Sequence, residues 1–389
     1  MPFCRHRCGY CDFNTYANQN NLIQPYVKAL CEEIAFTGLL SAQKINVHSL
    51  YFGGGTPSLL SISQVEELLK TIDHTFLLVS PTEISLEANP GTLTRSYLRD
   101  LASLGINRLS LGVQSANLEE LRLLERQHNF LDVLQSVTWA RQAGLTNLNL
   151  DLIFGIPEQE IASWQCTLKL VTDLAPEHLS LYALTIEHGT PFANWMDRGL
   201  LSQPDTDLAA DMYEWAMDWL PARGWNQYEI SNWAQDDATG MSFACQHNLQ
   251  YWRNLPYLGF GAGAHGYAGK VRTENVLSPA AYIGRFKEHP GIEGLNFPNT
   301  PATRFFESVD RSSEIAETMM MGLRLVEEGV SDQAFTTRFG STLDEVFLEP
   351  ITRLFAQGLV EWCQRGQDRS LRLTPRGRLL GNRVFIEFI

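Results

Sequence analysis

Pro2-Phe3-Cys4-Arg5-His6-Arg7-Cys8-Gly9-Tyr10-Cys11-Asp12-Phe13 carries three of the chain's seven cysteines, spaced C-x₃-C-x₂-C. Thiolates are soft ligands that suit iron–sulfur clusters, zinc or Cu(I). Three of them fill three corners of a cubane [4Fe–4S] cluster and leave one iron open, whereas a structural zinc takes four ligands in a closed shell. The spacing favours the cluster, with zinc (His6 completing the set) and inert cysteines as the alternatives. The other cysteines, Cys31, Cys166, Cys245 and Cys363, are scattered singly. An odd, uneven set does not describe a disulfide framework. Cys31, Cys166 and Cys363 fall in apolar patterns and read as small buried hydrophobes.

From residue 18 to about 225, short β-rich runs alternate with amphipathic helical stretches. The expected strands are Ser49–Phe52, Glu83–Glu87, Arg108–Val113, Asn147–Ile153 and His178–Leu181, each bounded by Gly, Pro or Asn. Ser63 with Glu66 reads as a capping box, and Gly105 and Gly144 as the glycines that end helices begun near Arg95 and Phe130. Strands separated by helices form βαβ units and a parallel sheet, either doubly wound or a barrel. Residues 225–300 are rich in aromatics, Gly and Asn and read as a capping lobe. From residue 301 the expected elements are helices Glu314–Val326, Ser331–Phe339 and Leu343–Gln357, then strands Gly358–Trp362 and Ser370–Thr374, a winged-helix-like set. The division is 1–224, 225–300 and 301–389.

The chain has 389 residues, 44% of them hydrophobic, which is a globular composition. Asp plus Glu number 44 against 30 Lys plus Arg, a net charge of −14. That balance argues against a nucleic-acid partner, whose footprint is a basic face. No apolar run approaches the roughly 18 residues of a spanning helix, and the start has no signal-peptide core. The expected location is cytoplasmic, with peripheral membrane contact left open.

The cysteine spacing, with Tyr10 before the last cysteine, resembles the signature of the radical S-adenosylmethionine (SAM) superfamily. The longer string through Phe13 resembles its coproporphyrinogen-dehydrogenase-like branch, and within it the heme chaperones; the likeness runs through most of the chain. It implies an α/β fold: a partial (β/α)₆ barrel with a smaller α+β C-terminal domain of that branch's type. It also implies a [4Fe–4S] cluster on Cys4, Cys8 and Cys11, whose open iron chelates the amino and carboxylate groups of SAM. Gly54, Gly55 and Thr56, in the turn Phe52-Gly53-Gly54-Gly55-Thr56-Pro57, match the family's SAM-contacting glycine turn, although a plain βα turn would read the same way. Tyr10, Glu87, Gln114, Arg126 and Asp151 match its other SAM-site residues. Cys245-Gln246-His247-Asn248-Leu249-Gln250-Tyr251-Trp252 resembles the chaperones' HN-x-x-YW motif, which implies His247 as a heme ligand; a structural histidine in a hairpin is the other reading.

Gly261-Ala262-Gly263-Ala264-His265-Gly266 matches G-x-G-x-x-G, but no βαβ unit surrounds it, so it is no dinucleotide fingerprint. Close backbone packing near the site is the expected role. Two features depart from the family. Met1-Pro2-Phe3-Cys4 leaves no room for the strand that opens such barrels, so a barrel short of its first strand, with an exposed edge, is expected. Oxygen-independent coproporphyrinogen dehydrogenases resemble C-x₃-C-x₂-C-x-C, and here Phe13 stands at the fourth cysteine. The expected function is therefore a heme chaperone, delivering heme to acceptor proteins. The alternative is coproporphyrinogen III dehydrogenase, a radical oxidative decarboxylation in porphyrin biosynthesis. A radical SAM enzyme acting on RNA and a structural zinc protein are further rivals.

Overall fold

The computed structural model describes the chain from Met1 to Ile389 except for His289, Pro290 and Ile292. It divides into two compact units, Met1–Ala216 with Leu258–Glu307, and Met217–Tyr257 with Ser308–Ile389. The stretch 225–300, grouped as one lobe on composition, is thus shared between them.

In the first unit five parallel strands lie side by side in chain order: β1 (Asn46–Phe52), β2 (Leu77–Ala88), β3 (Arg108–Gln114), β4 (Asn147–Phe154) and β5 (His178–Ala183). Helix α1 (Ile23–Leu40) precedes the strands, and helices α2 (Ile62–Thr75), α3 (Arg95–Ser103), α4 (Leu118–Leu123), α5 (Phe130–Gln142) and α6 (Ile161–Thr172) connect them. A doubly wound sheet reverses its strand order; this order never reverses, so the sheet curls as a half-barrel. β1 is its outer edge and none of its residues is buried, whereas all of β3 but Gly112 and Gln114 is.

The helix ends follow local chemistry. Gly105 and Gly144 stand at φ +98° and +86°, just past α3 and α5, a left-handed conformation cheap only for glycine. The capping box of α2 is Ser61 with Gln64, two residues before the expected pair, because the Ser61 hydroxyl, not that of Ser63, accepts the Gln64 N–H at 3.3 Å. Buried Val65, Leu68 and Ile72 then form its inward stripe.

The second unit holds an antiparallel sheet in the order Val330–Ser331, Asp368–Leu373, Val360–Arg365. Helices Arg311–Gly322, Asp332–Phe339 and Leu343–Ala356 pack over it around Met319, Leu323, Phe335, Leu354 and Leu371. This helix–strand–helix–helix–strand–strand order is that of a winged helix; the two-residue first strand is too short to show as a pattern. The expectation for the single cysteines needs correction. Cys166 is exposed and Cys31 and Cys363 are half-buried. On α6 the inward face belongs to Trp164, Thr167, Leu168 and Val171, which leaves Cys166 pointing outward.

Candidate functional site

Successive side chains of a strand point to opposite faces of the sheet, and here the two faces differ in chemistry. Leu86, Leu109, Leu111, Leu148, Leu150, Leu179 and Leu181 are fully buried on one side. The alternate positions are polar: Ser85 and Glu87 on β2, Arg108 and Ser110 on β3, Asn149 and Asp151 on β4, His178 and Ser180 on β5. Cross-strand register places Glu87 beside Ser110 and Asp151 beside both Gly112 and Ser180. The polar face therefore climbs to a cavity of 410 Å³ at the C-terminal ends of the strands.

The three cysteines line that cavity. A Cys11 N–H to Cys8 carbonyl bond of 3.1 Å makes Cys8–Cys11 a tight turn, and the Gly9 carbonyl accepts the Phe192 N–H. A Cβ on Gly9 would lie 2.8 Å from the Phe192 ring, so the residue after Cys8 must be glycine. The Thr56 hydroxyl donates to Cys4 Sγ at 3.4 Å, Arg126 Nη1 to Cys8 Sγ at 3.8 Å, and Thr15 lies 3.8 Å from Cys11 Sγ. Burial pushes the Cys4 and Cys8 thiols up, and nearby Arg126 pulls both partly back. Among the described residues no three His, Cys, Asp or Glu side chains are grouped to hold one metal ion. His6 lies instead 3.5 Å from Glu125.

Gly54, Gly55 and Thr56 also line the cavity, their turn lying against the cysteine loop. Gly54 has φ +112°, and a Cβ on Gly55 would stand 2.7 Å from the Phe3 carbonyl and 3.1 Å from Cys4 Sγ. Glu87 accepts from the Tyr51 hydroxyl at 2.7 Å and the Gly54 N–H at 3.1 Å. Desolvation, with nearby Asp151 adding to it, raises its carboxyl to about 7 against those donors. Asp151 is held by Ser110 at 2.9 Å and Asn149 at 2.8 Å, and burial raises it too. Gln114 closes β3 in the left-handed region at φ +69°, a strain that persists only where the surroundings impose it. Arg126, between α4 and α5, reaches back to the Gly112 carbonyl at 2.9 Å and to Asn89, while its Nε is buried without a partner. Tyr10 packs edge-on against Phe192 at 6.1 Å. Phe13, 65% exposed, stands on the cavity lining.

All eleven residues read from the sequence as cluster or SAM candidates thus meet around one cavity. Sequence reasoning missed Tyr51, Asn89 and Ser110, which hold Glu87, Arg126 and Asp151. Each lies one position before, or one or two after, a residue that alternation places on the wall or at a strand's C-terminal end, and that offset was the available signal.

His247 lies in the second unit, on the short helix Gln246–Trp252. Its ring meets Tyr251, one turn on, edge-to-face at 4.9 Å, and Tyr251 meets Tyr257 at 4.4 Å. Trp252 turns instead toward the core of Tyr228, Ala234, Leu249 and Leu325, with the Arg324 guanidinium 4.5 Å over its ring.

Residues 1–171 match the radical SAM superfamily domain and residues 309–380 the HemN C-terminal domain. The chain is 37% identical to the heme chaperone HemW of Bacillus subtilis, over 100% of this chain and 97% of that one. It is 35% identical to HemW of Mycobacterium tuberculosis, covering 99% and 92%. It is 34% identical to a zebrafish (Danio rerio) mitochondrial radical S-adenosyl methionine domain-containing protein 1, covering 85% and 73%. The radical SAM enzyme coproporphyrinogen III oxidase (HemN) of Escherichia coli shares the fold, with a TM-score of 0.81 at 24% identity over 100% of this chain and 88% of that one. No helix among the described residues is long and apolar enough to cross a membrane. A likeness at 37% identity over 100% of this chain and 97% of the Bacillus relative decides the lineage: this chain belongs to the HemW family of radical SAM proteins.

Proposed function

We propose that the chain binds heme and delivers it to acceptor proteins in the cytoplasm, with a [4Fe–4S] cluster and SAM held in the barrel cavity. The observation that carries this reading is the end-to-end likeness to proteins named heme chaperones. Phe13 supports it from the other side, because its ring has no thiol to offer where the related dehydrogenases carry a further cysteine.

The donor set fits both cofactors. Cys4, Cys8 and Cys11 supply three thiols at one wall of the cavity and nothing there offers a fourth. Buried Cys4 and half-buried Cys8 both have raised thiols, so taking up a cluster would release protons. Arg126, with its unpartnered Nε, would receive a carboxylate, and Glu87 and Asp151 would face the cationic sulfonium end of SAM. Gly54 and Gly55 carry no side chain where the Met1 and Phe3 backbone and the Cys4 sulfur fill the space, so the turn seats the cysteine loop closely. When bound, the cluster would supply an open iron for the amino acid end of SAM to chelate. For heme, His247 would be the axial ligand and Tyr251 the ring that orients its imidazole.

The test runs two assays on anaerobically purified chain. Saturable heme binding, with no decarboxylated product from coproporphyrinogen III, SAM and a reductant, is the expected result. Turnover of the porphyrinogen without heme binding would replace the chaperone reading with the dehydrogenase.

A further inference from the structure

Glu33 of α1 is completely buried and belongs to no part of the cavity. Four donors converge on its carboxylate: the Gly261 N–H at 2.7 Å, Asn275 Nδ2 at 2.7 Å, the Tyr282 hydroxyl at 2.5 Å and the Thr300 hydroxyl at 3.0 Å. An isolated buried carboxylate is costly, and only donors on both oxygens make it tolerable. All four come from residues 261–300, more than two hundred positions along the chain. One side chain therefore fastens that returning segment to the barrel's first helix.

What it fastens is the G-x-G-x-x-G stretch. The Asn275 amide that reaches Glu33 also donates to the Gly261 carbonyl at 3.0 Å, and the Ala262 N–H donates to the Tyr26 hydroxyl at 2.7 Å. Gly261 stands at φ +101°, and a Cβ there would lie 2.4 Å from the Tyr26 oxygen. The opposite side of this turn meets the cysteine loop. Asn14 Nδ2 donates to the Ala262 carbonyl at 3.3 Å and to the Leu277 carbonyl at 3.0 Å, and the Tyr16 hydroxyl reaches the same Leu277 oxygen. Gly263 is glycine because a Cβ would stand 2.4 Å from Asn14 Nδ2. Between Asn14 and Tyr16 sits Thr15, whose hydroxyl touches Cys11 Sγ.

We propose that Glu33 is a positioning residue for the cysteine loop, acting through the Gly261–Gly263 turn and Asn14. The glycines thus serve the loop and bind no dinucleotide. Calling the held loop a cluster site rests on the function proposed above; the mechanical link from Glu33 to Cys11 does not.

The test uses the full chain without cluster and measures alkylation rates of individual cysteines by mass spectrometry. In Glu33→Leu and in Asn14→Ala, Cys11 should react about tenfold faster, as expected when a local contact worth about 1.4 kcal/mol opens. Cys4, held by Thr56, should change least, and buried Cys245 of the other unit should not change. Glu33→Gln, which keeps the shape and one acceptor oxygen, should fall between Glu33→Leu and wild type. The double change Glu33→Leu/Asn14→Ala should be no worse than either alone, because both cut one chain of contacts. Should Glu33→Leu fail to fold, Glu33→Gln paired with Asn14→Ala carries the same comparison. An unchanged Cys11 rate in folded variants overturns the proposal. So does a rise shared equally by Cys11 and Cys245, or full additivity in the double variant. Reconstituting the same variants with iron and sulfide then asks the separate question: loose loops that never take up a cluster, even in wild type, would sink the cluster reading and leave the link standing.

Discussion

The barrel cavity and the Gln246–Trp252 helix carry the two sequence motifs that point to cofactors, and they are built in opposite ways. The cavity draws its walls from three cysteines near residue 10, a glycine turn near 54 and six polar residues between 87 and 151. Only a parallel sheet with its strand ends aligned can bring these together. The helix carries its whole motif in seven residues, and its rings part company: Tyr251 stays with His247 while Trp252 joins the core. Convergence from far along the chain is hard to obtain unless the place is a site. A short motif on one helix converges by construction, so its function has to be read residue by residue.

The comparison can be broken at several points. The largest effect is expected at the cysteines. Alanine at Cys4, Cys8 or Cys11 should leave no iron or sulfide bound after anaerobic reconstitution, whereas alanine at Cys31, Cys166 or Cys363 should leave the content at the wild-type level. Next comes Glu87→Ala. Removing one partner of a buried charge pair costs about 3–5 kcal/mol, so SAM affinity measured by equilibrium dialysis should fall at least a hundredfold with the cluster spectrum intact. Trp252→Ala should act on the other region's fold. Losing a half-buried aromatic should cost about 2–3 kcal/mol of stability by denaturant titration, with the absorption maximum of bound heme unmoved.

A smaller effect concerns pH. The Glu87 carboxyl is raised to about 7, chiefly by desolvation, so below that pH its neutral form dominates in the free cavity. Only the ionised form attracts a cation. SAM affinity should therefore rise with pH up to about 7, by no more than about tenfold per unit, and level off above. Glu87→Gln should flatten that part of the profile. An unchanged slope in the variant would assign the titration to another group.

Much of this was legible beforehand, for physical reasons that differ by region. All five strands are present where the apolar runs put them, but the first two start earlier, at Asn46 and Leu77, so that Pro81 lies inside β2 and does not bound it. The alternation of strands and helices left the choice between barrel and doubly wound sheet open, since strand order is encoded in no local pattern; the barrel came from the resemblance that the cysteine motif carries. Ser61 was missed as the cap because Ser63 offers the same chemistry two residues on, and only the backbone angle decides. Glu33 was invisible for a deeper reason: in sequence it is one more acid on an amphipathic helix, and its four donors lie beyond residue 260. Cys166 misled because an apolar neighbourhood in sequence does not say which helical face a residue takes.

Dividing the labour between the two regions is the central claim, and the Soret band of bound heme tests it most directly. Heme should be titrated into wild type, His247→Ala and Cys8→Ala under the same anaerobic conditions. The account predicts that His247→Ala shifts the band and weakens binding by about tenfold or more, as loss of an axial imidazole should. Cys8→Ala, without a cluster, should keep the wild-type band. A band that moves in Cys8→Ala and stays put in His247→Ala would place heme at the cysteine loop and contradict the account.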